Sequence, residues 1–315
     1  MNRGFLLTYL KGMAMGAVDV VPGVSGGTMA LIIGIYDRLL GAFAQAPRAL
    51  AAAARGRLRE AWAACDAGFL ALVLAGILTS VFTLARLIGW LMEAHPVPLW
   101  SFFLGLVAVS VHLVGREVGA WRAGTVVAFL AGFALAAWIA LAVPLQLPAS
   151  PLVLFLGGAI AICAMILPGI SGSFILVLLG LYPAVLLAVR TLDIPILAVF
   201  AAGCALGLLS FARLLSWLLS AWRNLTMAFL TGLVLGSLGK VWPWKHTLTW
   251  QTDSRGERSP LVQENLLPGR FAEVTGQDPQ VALALALAVV AVLLVLWVDW
   301  LGRRHAAEAA AGAGR

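Results

Sequence analysis

The sequence predicts an all-α polytopic membrane protein, an inverted repeat whose halves each hold one re-entrant helical hairpin plus three transmembrane helices. Three observations carry this. Of 315 residues, 62% are hydrophobic and 11% charged, far from the balance of a soluble domain. Apolar runs of spanning length recur from end to end. A Gly/Pro break occurs twice with nearly the same spelling, as VPGVSGGTMALIIGIY from Val21 and ILPGISGSFILVLLGLY from Ile166.

The first half, residues 1–146, opens with apolar arms at 5–20 and 27–44 on either side of the first break. Each arm is about 25 Å long at the helical rise, short for a hydrocarbon core of about 30 Å. The reading is therefore a re-entrant hairpin over 5–44, retained rather than cleaved as a signal peptide. An Ala-rich stretch with Arg55, Arg57 and Arg59 predicts one basic surface helix over 47–64. Full spans follow at 66–93, 98–115 and 122–143. The second half, 147–315, repeats the plan with a hairpin over 151–189 and spans at 194–220, 224–240 and 280–302. Residues 241–279 are polar and read as an outer loop, with a strand-like HTLTWQT and the turn DSRG.

The net charge of +7 would suggest nucleic acid in a soluble chain. Here the basic residues lie at span ends, so the positive-inside rule accounts for them. It places both termini in the cytoplasm, with Arg48, Arg116, Arg122, Arg223, Arg303 and Arg304 on that side, provided both hairpins return to the side they entered from. Eight tryptophans near span ends, among them Trp90, Trp217, Trp242 and Trp244, read as interfacial belts. Cys65, Cys163 and Cys204 have no metal-ligand spacing and read as free thiols. No metal or cofactor is expected.

The repeat is visible residue by residue. Pro22, Gly23, Ser25, Gly26, Gly34 and Tyr36 match Pro168, Gly169, Ser171, Gly172, Gly180 and Tyr182 at one offset of 146. Downstream, LARLIGWLM from Leu84 matches FARLLSWLL from Phe211 at an offset of 127. The difference is about the length of the basic surface helix. Three spans separate the two starts, so equivalent elements face opposite sides, the sequence signature of a secondary transporter.

The breaks suggest chemistry. Backbone at membrane depth must be satisfied by protein, water or ligand. The arms that begin at Ser25, Gly26, Gly27 and Thr28, and at Ser171, Gly172 and Ser173, present amides and hydroxyls suited to an anion. The same residues also serve as helix caps or as close-packing small residues. Arg86 and Arg213 are equivalent by the second offset and sit in apolar runs, where a charge is costly. They read as phosphate contacts, one toward each leaflet, against the alternative of snorkelling. Asp19 precedes the first break where the second half has Met165. It reads either as an ion-pair partner for an arginine or as a proton carrier in coupling.

MGAVDVVPGVSGGTMALIIGIYDRLL and ILPGISGSFILVLLGLY resemble the polyprenyl-phosphate transporter family of bacteria and archaea, PopT-type. The resemblance covers most of the chain. It implies a flippase that returns undecaprenyl phosphate, a lipid carrier of cell-envelope synthesis, to the cytoplasmic leaflet of the bacterial inner membrane. It carries residues 22–28 and 168–173 over as the substrate region. It leaves the coupling ion open between protons and sodium ions, and the oligomeric state unknown. The rival readings are a small-anion permease and a membrane polyprenyl-pyrophosphate phosphatase with Ser25 or Ser171 as nucleophile. The second lacks a base near either serine.

Overall fold

The computed structural model describes residues 3–19, 25–142, 144–252 and 258–313. Pro22 and Gly23 of the first motif and the DSRG turn lie outside the described residues. The protein is an α-helical polytopic membrane protein. Among the described residues, six helices are long and apolar enough to cross a membrane.

The first half contains α1 (Arg3–Asp19), α2 (Gly26–Ile32), α3 (Tyr36–Ala44), α4 (Ala46–Ala54), α5 (Leu58–Ala64), α6 (Ala67–Ala94), α7 (Pro96–Gly115) and α8 (Ala123–Leu141). The second contains α9 (Pro151–Ile166), α10 (Gly172–Leu178), α11 (Tyr182–Thr191), α12 (Ile194–Ala221), α13 (Arg223–Ser237) with a 3-10 turn at Leu238–Val241, β1 (Lys245–Thr252), β2 (Arg258–Asn265), α14 (Pro268–Thr275) and α15 (Val281–Ala313). Five of the six spans expected from sequence are helices within a few residues of their expected bounds, and the sixth, expected over 280–302, lies in a helix that continues to Ala313.

Two expectations need correction. The second arm of each hairpin is not one helix. α2 and α3 bend by 119° and α10 and α11 by 112°. Gly34 and Gly180 cause this, adopting φ of +69° and +72°, the left-handed region where glycine carries no Cβ penalty. Around each, crossed amides close the helix end. Gly34 N donates to Leu31 O and Ile35 N to Ala30 O, and Gly180 N to Val177 O and Leu181 N to Leu176 O. This is the helix-ending pattern that sequence shows as a glycine after an apolar turn. α2 and α10, at seven residues each, rise only about 10 Å. The basic surface helix is likewise two helices, α4 and α5, parted at Gly56 with φ +76°.

Close packing rests on glycines at equivalent places. α1 lies along α6 with Gly12 against the Val73 backbone and Gly76 against Tyr9 and Met13. α9 lies along α12 with Gly158 against Phe200 and Gly203 against Phe155. Gly12 and Gly158 are 146 apart, and Gly76 and Gly203 are 127 apart. A Cβ at any of these would meet backbone, so the absent side chain sets the helix separation, as in membranes generally. The remaining pairs cross between halves. α8 packs on α13 and α15 packs on α7. Gly232 meets the Phe129 carbonyl and Gly105 that of Ala288. α7 and α13 are consequently the buried centre, with Leu230, Leu233, Val234 and Val114 at or near zero exposure.

Outside the spans, β1 and β2 pair antiparallel from Lys245 opposite Asn265 to Thr252 opposite Arg258, with an irregularity around Leu248. HTLTWQT is thus a strand. Trp244, Leu266, Phe271, Val97 and Ala284 form a small separate core. Trp242 and Trp244 are not belt residues. Their indole N–H groups donate to Leu266 O and Pro279 O, both at 2.7 Å, and so close the subdomain on itself, while Val97 of α7 and Ala284 of α15 join it to the spans. Trp90, Trp121, Trp217 and Trp222 do stay about half exposed.

Candidate functional site

The two Gly-rich motifs meet. Thr28 Oγ1 accepts from Gly169 N at 2.8 Å. Ser25 Oγ lies 3.5 Å from Leu167 O and Tyr36 Oη donates to Ile166 O at 3.0 Å. Gly27 has no room for a side chain, because a Cβ would sit 2.9 Å from Ile166 O. Ser25, Thr28 and Tyr36 are all buried, at 3%, 3% and 5% exposure. The first motif is therefore docked onto the peptide groups just before and within the second.

The first motif also carries its own anion. Asp19 Oδ1 accepts from Gly26 N at 2.7 Å, and Ser25 Oγ accepts from Gly27 N at 3.2 Å. These satisfy the leading amides of α2 that would otherwise lack partners. Asp19 is thus neither paired with Arg86 nor with Arg213 in this structure. It caps α2, and the close fit at Gly26, where a Cβ would meet both carboxylate oxygens at 2.5 Å, shows why that position is glycine.

The second motif differs. Met165 stands where Asp19 would be and is 47% exposed. Ser171 and Ser173 hydrogen-bond each other at 2.9 Å between hydroxyls, and Ser171 makes no side-chain cap to α10. Gly172 is packed against Ala161 O of α9. Beside this motif lies a cleft lined by Ala136, Ile139 and Ala140 of α8, Gly169, Ile170 and Ser171 of the turn, Phe174, Ser237 and Lys240. Lys240 Nζ stands 3.7 Å from the Phe174 ring centroid. A cation over an aromatic face is stabilised by the ring quadrupole. Lys245 Nζ donates to Lys240 O at 2.6 Å and stands 3.7 Å from the Trp100 ring centroid. Burial, then the nearby Lys240 charge, pushes the Lys245 ammonium down to about 7.

Arg86 and Arg213 are both exposed on their helices. Arg213 Nε donates to Ala44 O at 3.4 Å, at the seam where α3 packs along α12. Neither arginine bonds a motif residue among the described contacts.

Several ion pairs join α3, α13 and α15 to the start of α6 and the end of α7. Arg223 reaches Asp37 at 3.1 Å and Glu117 at 3.4 Å. Arg116 pairs with Asp299 at 2.9 Å and Arg38 with Asp66 at 2.6 Å. The segment after α8 is bonded to α10, where Leu145 N donates to Leu178 O at 2.6 Å.

Sequence reasoning missed Lys240, Ser237 and Phe174. The repeat comparison that found the arginines was blind to Lys240, because its equivalent at offset 127 is Leu113. The usable signal was a lone lysine closing an apolar span.

Two curated relatives are similar in sequence over most of this chain. The chain is 49% identical over 299 residues to a polyprenyl-phosphate transporter of Vibrio cholerae serotype O1, covering 95% of this chain and 97% of that one. It is 31% identical over 259 residues to a polyprenyl-phosphate transporter of Staphylococcus aureus, covering 75% of this chain and 86% of the relative. No solved structure matches. Both relatives are named as transporters, not enzymes, and neither Ser25 nor Ser171 has a His, Asp or Glu side chain bonded to its hydroxyl among the described residues. A family described as undecaprenyl phosphate translocase-like matches residues 15–259, which include both motifs, and the chain belongs to that family.

Proposed function

We propose that this protein carries a polyprenyl phosphate, with undecaprenyl phosphate as the expected lipid, from the outer to the cytoplasmic leaflet of the bacterial inner membrane. Both termini face the cytoplasm. The halves, 1–146 and 147–315, are inverted repeats, and transport is alternating access about the docked motifs. The names of the relatives support the substrate.

The observation that carries the mechanism is an asymmetry. α3 packs along α12, but its equivalent, α11, makes no comparable seam with α6 among the described residues. Tyr36 is buried while its equivalent Tyr182 is 37% exposed. Two equivalent halves that pack differently are what an alternating-access carrier in one end state requires. The closed seam lies on the side of Ala44, Asp37 and Arg223, assigned to the cytoplasm by charge. The structure is therefore read as outward-facing. Bends at equivalent positions lie near opposite ends, Asp37 with the ion-pair cluster and Leu178 with the segment after α8, which supports the inversion.

In this scheme Ser171, Gly172 and Ser173 serve the phosphate on the outer-facing side, and Ser25, Gly26, Gly27 and Thr28 serve it once the first motif undocks. Arg213 stands at the closed seam and Arg86 at the matching place on α6, and they meet the phosphate as it leaves and enters. Asp19 releases or keeps the α2 amides with the coupling proton or sodium ion. Vesicles with oriented protein and a fluorescent prenyl phosphate test this directly. One-directional loss of outer-leaflet signal is expected, and its absence with active, correctly inserted protein overturns the proposal. Uptake of inorganic phosphate into the lumen without lipid movement would favour a soluble-anion permease.

A further inference from the structure

We propose that Lys240 is the cation that receives the phosphomonoester head of the lipid, in the cleft between α8, the second Gly-rich turn and the 3-10 turn after α13. The inference rests on the transport reading above and names the binding residue that reading leaves unassigned.

Four features of the structure meet here. First, Lys240 is the cation of a narrow open cleft, and no carboxylate pairs with it among the described residues. Its neighbours are the Phe174 ring and Lys245, a second cation. A half-buried ammonium with no carboxylate among its described partners is costly, and an anion in the cleft relieves that. Second, hydroxyls line the same cleft. In the Ser171–Ser173 pair one hydroxyl hydrogen is spent on the partner, which leaves the other to donate to a phosphate oxygen. Third, the first half differs at the matching positions, where Leu113 replaces Lys240 and Thr28 replaces Phe174. In the first motif the Gly26 amide is already bound to Asp19 and the Gly27 amide to Ser25. Fourth, one wall is α8, whose Trp138 and Leu141 are 68% and 83% exposed toward lipid. A tail running over α8 stays in hydrocarbon while the head enters the cleft.

A lysine suits a carrier. It offers one mobile point charge rather than a rigid bidentate fork, so the phosphate can be handed on. The Phe174 face holds the ammonium in place over the cleft.

The test uses purified full-length protein in detergent, with geranylgeranyl phosphate, geranylgeraniol and inorganic phosphate as separate probes. Binding is read by native mass spectrometry and by ligand-induced shift of the melting temperature. Wild type is expected to prefer geranylgeranyl phosphate over the alcohol. Lys240→Met should weaken that phosphate lipid by about tenfold to a hundredfold, the range for one charge-assisted contact, and leave the alcohol unchanged. Lys240→Arg should keep most of the affinity. Phe174→Leu controls for packing and should lower affinity far less than Lys240→Met. Equal binding of geranylgeranyl phosphate by folded Lys240→Met and wild type overturns the assignment but not the transport reading. No binding of it by wild type, or tighter binding of inorganic phosphate, overturns both.

Discussion

Thr28 shows how a residue can be read correctly for position and differently for partner. Its hydroxyl oxygen takes the Gly169 amide rather than standing open to a ligand. Thr28→Val is isosteric and should leave that buried amide unsatisfied, lowering stability by about 1–3 kcal/mol, as measured by thermal melting in detergent. Gly26 makes a second residue-scale case. Gly26→Ala should behave like Asp19→Ala, because the added methyl expels the carboxylate from the α2 amide. Both should cost about 1 kcal/mol, the usual value of a helix cap, and the double variant should cost no more than either alone. Additive losses would show that Gly26 serves something other than Asp19. Asp19 was legible as unusual from sequence, since the repeat offers Met165 in its place. Its actual partner was not, because a carboxylate seven residues before an amide can reach it only once the turn is built.

Elements were the most legible layer. Spans declare themselves by apolar length, and the two breaks by their glycines and prolines. The bends at Gly34 and Gly180 were in plain view among the matched residues, yet apolar residues continue on both sides. A run without a polar interruption hides a left-handed glycine. Gly34→Ala and Gly180→Ala should separate strain from packing. Open space surrounds a Cβ at position 34, so that variant should lose about 1 kcal/mol for the left-handed conformation alone. At position 180 the carbonyl of Leu145 stands in the way, so the loss should be larger, and equal melting temperatures would contradict this account. The β-hairpin subdomain offers a pH test. Lys245 binds its proton less tightly when folded, near 7, than in an unfolded chain, near 10.4. Between those values the unfolded state holds more protons, so stability should rise with pH from about 7 to about 10. Lys245→Met should remove that rise relative to wild type.

At the scale of the whole molecule the repeat makes its sharpest statement about the conformation not seen. Arg213 reaches the Ala44 carbonyl, and the two offsets translate that pair into Arg86 and the carbonyl of residue 190. Cysteines at 44 and 213 should cross-link with a short bifunctional reagent in the state described. Cysteines at 86 and 190 should cross-link only when the protein faces the cytoplasm, and a prenyl phosphate should change the ratio of the two yields. Similar yields at both pairs under every condition would rule out alternating seams. Sequence could not reveal which seam is closed, since both halves carry the same pattern and only packing breaks the tie. The exchanged helices have a different consequence, in biosynthesis. α7 is made early but packs along α15, which is made much later. During translation the Gly105 face of α7 therefore stands without this partner. The first half gains the contact only once α15 has been made.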